Sequence, residues 1–126
     1  MINRLKTSRE AKERLEKLNN YLRLSNNAII LRYAIAKSIV CKTPVEEDKD
    51  SVVNDNYGFE ISRQTLFNDN ETLFKILMDC YDKEDETFFP IHTNKHIERG
   101  LKLLEREYKF AGNREKFIIN TINKLD

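Results

Sequence analysis

A chain of 126 residues with three Gly, two Pro and no Trp has the length of one small domain and the composition of a helical protein rather than a sheet protein. Its longest apolar run is far too short to span a bilayer, and its N-terminus lacks the apolar core and cleavage site of a secretory signal, so a cytoplasmic protein with no membrane contact is expected. The net charge of +1 conceals a partition, with +7 on residues 1–42, −9 on residues 43–89 and +3 on residues 90–126, which disfavours indiscriminate coating of nucleic acid.

Residues 2–7 alternate so that Arg4 and Lys6 share one face and Leu5 the other, the period of a half-buried strand. Ser8 is placed to cap a first helix, in which Ala11, Leu15, Leu18 and Leu22 form one narrow apolar stripe as far as about Leu24. Ser25 or Asn26 caps a second helix, residues 26–41, whose apolar residues leave almost no polar face except Arg32 and Lys37 and which is therefore expected to be buried on most sides. A lone strand leaves its backbone unpaired, so a second copy is the economical partner. Two chains pairing their strands and interlocking their second helices give a ribbon-helix-helix arrangement, a homo-oligomer whose Arg4 and Lys6 face a DNA groove. Arg9 and Lys12 extend that basic surface, whereas Glu10 with Arg14 and Glu13 with Lys17 pair by helical spacing.

Residues 43–58 lack helical periodicity and read as an acidic loop, a solvated connector or a partner-binding segment. Phe59, Glu60 and Ile61 suggest a brief strand, Ser62 caps a short turn through Phe67, and Asp69 or Asn70 starts a third helix whose Leu73, Phe74, Leu77, Met78 and Tyr81 are expected to face inward. A second acidic connector, residues 82–86, precedes Phe88, Phe89 and Pro90.

Thr93 or Asn94 opens a helix with two separated faces. Ile97, Leu101, Leu104, Tyr108 and Ala111 repeat at four and three, while Lys95, Arg99, Lys102, Arg106 and Lys109 repeat two residues earlier, giving a basic ridge ~21 Å long. Glu98, Glu105 and Glu107 flank it, so it reads either as an ordinary solvated face or as a surface for backbone phosphates. Gly112 ends this helix, and Asn113 caps a last one with Phe117, Ile118, Ile122 and Leu125 on its apolar side.

The residues that carry chemistry elsewhere are sparse. His92 and His96 are four apart, but no Cys or paired acid supplies further ligands, so packing or a phosphate hydrogen bond by His96 is preferred to a metal site. Cys41 and Cys80 lack the spacing of a zinc or redox motif and read as buried thiols. There is no Gly-rich phosphate loop, serine elbow or nuclease-like acidic pattern, so no cofactor and no catalysis are expected.

Three segments together resemble the DNA sulfur-modification family DndE. They are Asn3-Arg4-Leu5-Lys6-Thr7-Ser8, Phe59-Glu60-Ile61-Ser62-Arg63-Gln64-Thr65-Leu66-Phe67 and His96-Ile97-Glu98-Arg99-Gly100-Leu101, and their order covers the chain to about Tyr108. The resemblance implies a small helical DNA-binding subunit of the bacterial machinery that replaces a non-bridging phosphate oxygen of DNA by sulfur. Larger partner proteins of that machinery would supply sulfur and the ATP-dependent steps. It also implies a homo-oligomer, dimer or tetramer, with a preference for nicked duplex DNA, which bends at lower cost than a continuous duplex.

The resulting expectation is a mainly α protein in one domain over residues 1–126. It comprises a basic ribbon-helix-helix-like module (1–42), an acidic loop (43–58) and a helical extension (59–126). DNA would be met by Arg4, Lys6, Arg9, Lys12, Arg63, Lys95, Arg99, Lys102, Arg106 and Lys109. The alternatives are a ribbon-helix-helix transcription regulator or antitoxin, and an interaction scaffold whose acidic segment docks a partner.

Overall fold

The computed structural model describes residues 1–124. The first strand is β1 (Arg4–Lys6), and Ser8 ends the extended segment where its Oγ accepts the Ala11 N–H at 3.0 Å. That cap starts α1 (Arg9–Leu22), which buries Ala11, Leu15, Leu18 and Leu22, the stripe its spacing predicts. Asn26 caps α2 (Asn27–Ile39) by accepting the Ala28 N–H at 2.9 Å. After two short 3-10 turns in the acidic segment come β2 (Glu60–Ser62), the Ser62-capped α3 (Arg63–Phe67) and α4 (Glu71–Leu77). An irregular stretch through the cis Phe89–Pro90 peptide leads into α5 (Thr93–Ala111). Gly112 closes α5 at φ 88°, and Asn113 caps α6 (Arg114–Asn123). The mainly helical expectation holds, with one two-stranded sheet among the described residues.

The strand's partner differs from expectation. β1 pairs antiparallel with β2 of the same chain, Arg4 opposite Ser62, Leu5 opposite Ile61 and Lys6 opposite Glu60. The ladder continues through Thr7 N–H to Phe59 C=O and Arg63 N–H to Asn3 C=O. Leu5 and Ile61 enter the core together while their neighbours face outward, so the brief strand at residues 60–62 meets the pairing requirement that had called for a second copy.

The second helix is likewise satisfied within the chain. Ile30, Leu31, Ala34 and Ile35 are buried under α1, α3 and above all α5. The crossing of α2 and α5 is so close that a Cβ on Gly100 would lie 1.9 Å from the Ala34 carbonyl oxygen, so the Gly is a packing requirement. Phe67, Phe88 and Phe89 close one end of the core, and Tyr21 stacks on Tyr108 at 4.4 Å between α1 and α5.

Two apolar faces lie outward instead of inward. Of the five residues expected to face inward from the third helix, Phe74 and Met78 are buried, while Leu73, Leu77 and Tyr81 are exposed, because so short a helix presents one narrow face to the core. On α6 Phe117 is buried, Ile118 and Ile122 are exposed, and Leu125 lies outside the described residues.

Candidate nucleic-acid interface

Arg4, Lys6, Arg9 and Lys12 are all exposed, on β1 and the opening turn of α1. The inward-facing Leu5 forces its neighbours Arg4 and Lys6 to the other side of the strand, and the start of α1 places Arg9 and Lys12 outside the stripe begun by Ala11. Arg4 reaches Glu60 across the sheet at 3.3 Å, and the Arg9 backbone N–H is held by Asp55 at 2.9 Å. Lys6, Arg9 and Lys12 make no ion pair among the described residues. Asn94 Nδ2 donates to the Lys6 carbonyl at 3.0 Å, which sets the beginning of α5 beside the strand, while half-buried Lys95 places its charge near Glu46.

The α5 ridge is not one continuous exposed surface. Arg99 is 2% exposed: Nε donates to Ser38 Oγ and Nη2 to the Ser38 carbonyl, both at 2.8 Å, and Nη1 donates to the Thr43 carbonyl and pairs with Asp48 at 3.3 Å. Lys102 Nζ donates to the Asp50 carbonyl at 3.0 Å, and Arg106 pairs with the Asp50 carboxylate at 3.0 Å. The hydrogen bond from Arg106 holds the Asp50 carboxyl below the usual carboxylate range. Lys109 stays exposed, 3.7 Å from Glu105. The acidic segment, expected as a connector or docking loop, is folded onto the ridge by these contacts.

The acids at the ridge margins occupy helix seams. Glu98 is buried, accepts the Ser8 hydroxyl at 2.5 Å, and lies 3.9 Å from Arg14 and 3.8 Å from Lys102. Burial raises its pKa. Glu105 pairs with Arg14 of α1 at 3.5 Å and Glu107 with Lys37 of α2 at 2.6 Å. The seams of α5 with α1 and α2 thus carry ion pairs beside their apolar contacts.

Arg63 is also internal. It is bonded to Glu71, to both carboxylate oxygens of Asp85 and to the Ile2 carbonyl, and its guanidinium lies 5.2 Å from the Phe89 ring centroid. The Asp85 hydrogen bonds raise its pKa further, and Arg63 in turn holds Asp85 below the usual range. Arg63 and Arg99, expected among the exposed cations, are instead buried with their donors engaged inside the fold, where they hold the connectors.

Behind the ridge is a polar cluster of which only the histidines were visible in the sequence. Ser38 Oγ lies 2.8 Å from His96 Nδ1, while His92 sits between the Thr87 carbonyl at 3.2 Å and the Glu46 carboxylate at 2.5 Å. Burial, reinforced by the Arg99 charge, lowers the His96 pKa to about 4. Ser38 gave no sequence signal, being a small hydroxyl beside Lys37 on a mostly apolar helix. Among the described residues no group of three or more His, Cys, Asp or Glu side chains could hold a metal ion, and no helix is long and apolar enough to cross a membrane.

The fold is similar to the crystal structure of DndE from Escherichia coli B7A, described as involved in DNA phosphorothioation modification. The TM-score is 0.63 at 17% identity, over 80% of this chain and 96% of that one. No curated protein sequence matches the chain. The model of the family described as DNA sulphur modification protein DndE matches residues 4–112, from the basic strand to the glycine that ends α5, and the chain therefore belongs to the DndE family.

Proposed function

We propose that this chain is a non-catalytic, cytoplasmic subunit of a DNA phosphorothioation system. It binds duplex DNA, with a preference for nicked duplex, alongside the other modification proteins. The observation that carries this reading is the surface of Arg4, Lys6, Arg9 and Lys12, exposed together on β1 and the first turn of α1, with three of the four making no side-chain ion pair among the described residues. Arg106 and Lys109 add exposed charge reduced by Asp50 and Glu105, and Lys95 at the start of α5 is assigned to the same role. Such a surface meets phosphates and carries little base readout. Self-association belongs to the same reading and falls to exposed apolar residues such as Leu73 and Leu77, since the chain already buries most of α2 itself.

No observation favours the base-reading regulator. Its ribbon needs β1 from two chains, and here β1 is paired with β2. Binding to nicked and intact duplexes of unrelated sequence, measured over a series of salt concentrations, tests the proposal. Steep salt dependence with tighter binding to the nicked duplex is expected, and salt-insensitive or single-sequence binding would overturn it.

A further inference from the structure

Where the acidic segment, the stretch after α4 and the start of α5 meet lies a cavity of about 290 Å³, walled by His96, His92, Arg99, Lys42, Lys83 and Glu46. Hydrogen bonding selects one tautomer of His96. Ser38 Oγ accepts from Arg99 Nε–H, and among the described residues the hydroxyl's own hydrogen finds no acceptor other than His96 Nδ1. Nδ1 is then an acceptor, and the neutral ring carries its hydrogen on Nε2. Nε2–H has no acceptor among the described residues, although His96 is only 6% exposed and lines the cavity. Open to the cavity, that donor is free to be met by water or by a ligand.

The charges around that donor select the ligand. Arg99 lies behind it, and exposed Lys42 and Lys83 stand in the wall. Glu46, whose carboxylate lies 2.5 Å from His92, and exposed Asp79 are the two acids in the wall that oppose an anion. The space exceeds what one water fills. A tetrahedral oxyanion accepts from several converging donors at once, which suits one imidazole N–H and two flexible ammonium groups.

We propose that this cavity binds a phosphate group, either free inorganic phosphate or the terminal phosphate of a DNA strand. The second source rests on the DNA-binding reading above; the first does not.

The test is titration of the isotopically labelled protein with inorganic phosphate at constant ionic strength, following the His96 ring by NMR. A saturable shift of the His96 signals is expected, together with a rise of its pKa from about 4, because a neighbouring anion favours the imidazolium. Lys42→Ala combined with Lys83→Ala removes two exposed cations without touching the core, and should weaken phosphate roughly fivefold or more. His96→Gln, which keeps an N–H donor on a flexible chain, should retain part of the affinity. No saturable shift, or a shift indifferent to the double variant, would overturn the proposal.

A second arm compares duplexes whose nick carries a terminal phosphate or a hydroxyl. Preference for the phosphate, lost in the double variant, identifies the strand end as the source; equal affinity with inorganic phosphate still bound identifies free phosphate. If the protein binds neither duplex but inorganic phosphate still shifts His96, the DNA reading falls and the cavity stands. If it binds duplex while phosphate leaves His96 unshifted, the phosphate site falls and the DNA reading stands.

Discussion

The N-terminal basic surface and the basic ridge of α5 have the same raw material and opposite fates. Each is a short series of Lys and Arg at regular spacing opposite apolar residues. On β1 and α1 those charges remain exposed, with Glu60 and the nearby Asp55 as their acidic neighbours. On α5 an acidic segment folds back over them, so Arg99 is buried and Lys102 and Arg106 are held by Asp50. Periodicity locates a charge on a face, but whether the face meets water depends on what the remainder of the chain lays across it. The same arginine chemistry therefore supports folding in one region and is available to a polyanion in the other.

The sharpest way to break this contrast is Arg99→Ala. If Arg99 anchors the acidic segment, the variant strands the Ser38 oxygens and Asp48 and should lose about 3–5 kcal/mol of stability in denaturant titration. A change below about 1 kcal/mol would return Arg99 to the class of dispensable surface charges.

Next in size is a pH effect at the buried cluster. The folded-state pKa of His96 is depressed to about 4 from an ordinary 6.5, so the unfolded chain binds more protons between those values. Stability from this group is fully present above about pH 6.5 and is lost as pH falls toward 4, by up to about 3 kcal/mol. Glu98, whose pKa is raised, acts with the opposite sign, its unfavourable ionisation growing as pH rises above the ordinary carboxylate value. Unfolding measured at several pH values in the natural protein and in His96→Gln separates the two, and the difference between them should flatten above pH 6.5.

The exposed region should behave the other way round. Replacing Lys6, Arg9 and Lys12 together by Ala should leave stability within about 0.5 kcal/mol. It should also weaken duplex binding by one to two orders of magnitude at low salt and reduce the salt slope by about 3. Unfolding and DNA affinity measured on the same variant decide between the roles, since a loss of stability would mean that these residues, too, are structural.

The smallest effect is expected where the two regions grade into each other. Arg106 is exposed and paired with Asp50, so Arg106→Ala should cost less than about 1 kcal/mol in unfolding and change DNA affinity only modestly. A large loss in either measurement would move it to one side of the comparison.

Much of the local structure was legible before any tertiary contact was considered. The caps at Ser8, Asn26, Ser62 and Asn113, the apolar stripes of α1 and α5, and the glycine that ends α5 each follow from a few neighbouring residues, because helix starts, stops and faces are decided by nearby hydrogen bonds and by the 3.6-residue period. The exposed Arg4, Lys6, Arg9 and Lys12 follow in the same way from strand alternation and helix phase. The pairing of β1 with β2, the burial of α2 under α5, the covering of Arg99 and the engagement of Arg63 join residues about thirty or more positions apart, or depend on such joins. A three-residue strand at Glu60–Ser62 carries too little pattern to announce which chain it will pair with. An acidic loop does not declare which cations it will meet. Sequence alone determined which faces this protein has; which of them are left to water was decided by long-range packing, where the cost of an unpaired backbone or a buried charge selects the partner that closes it.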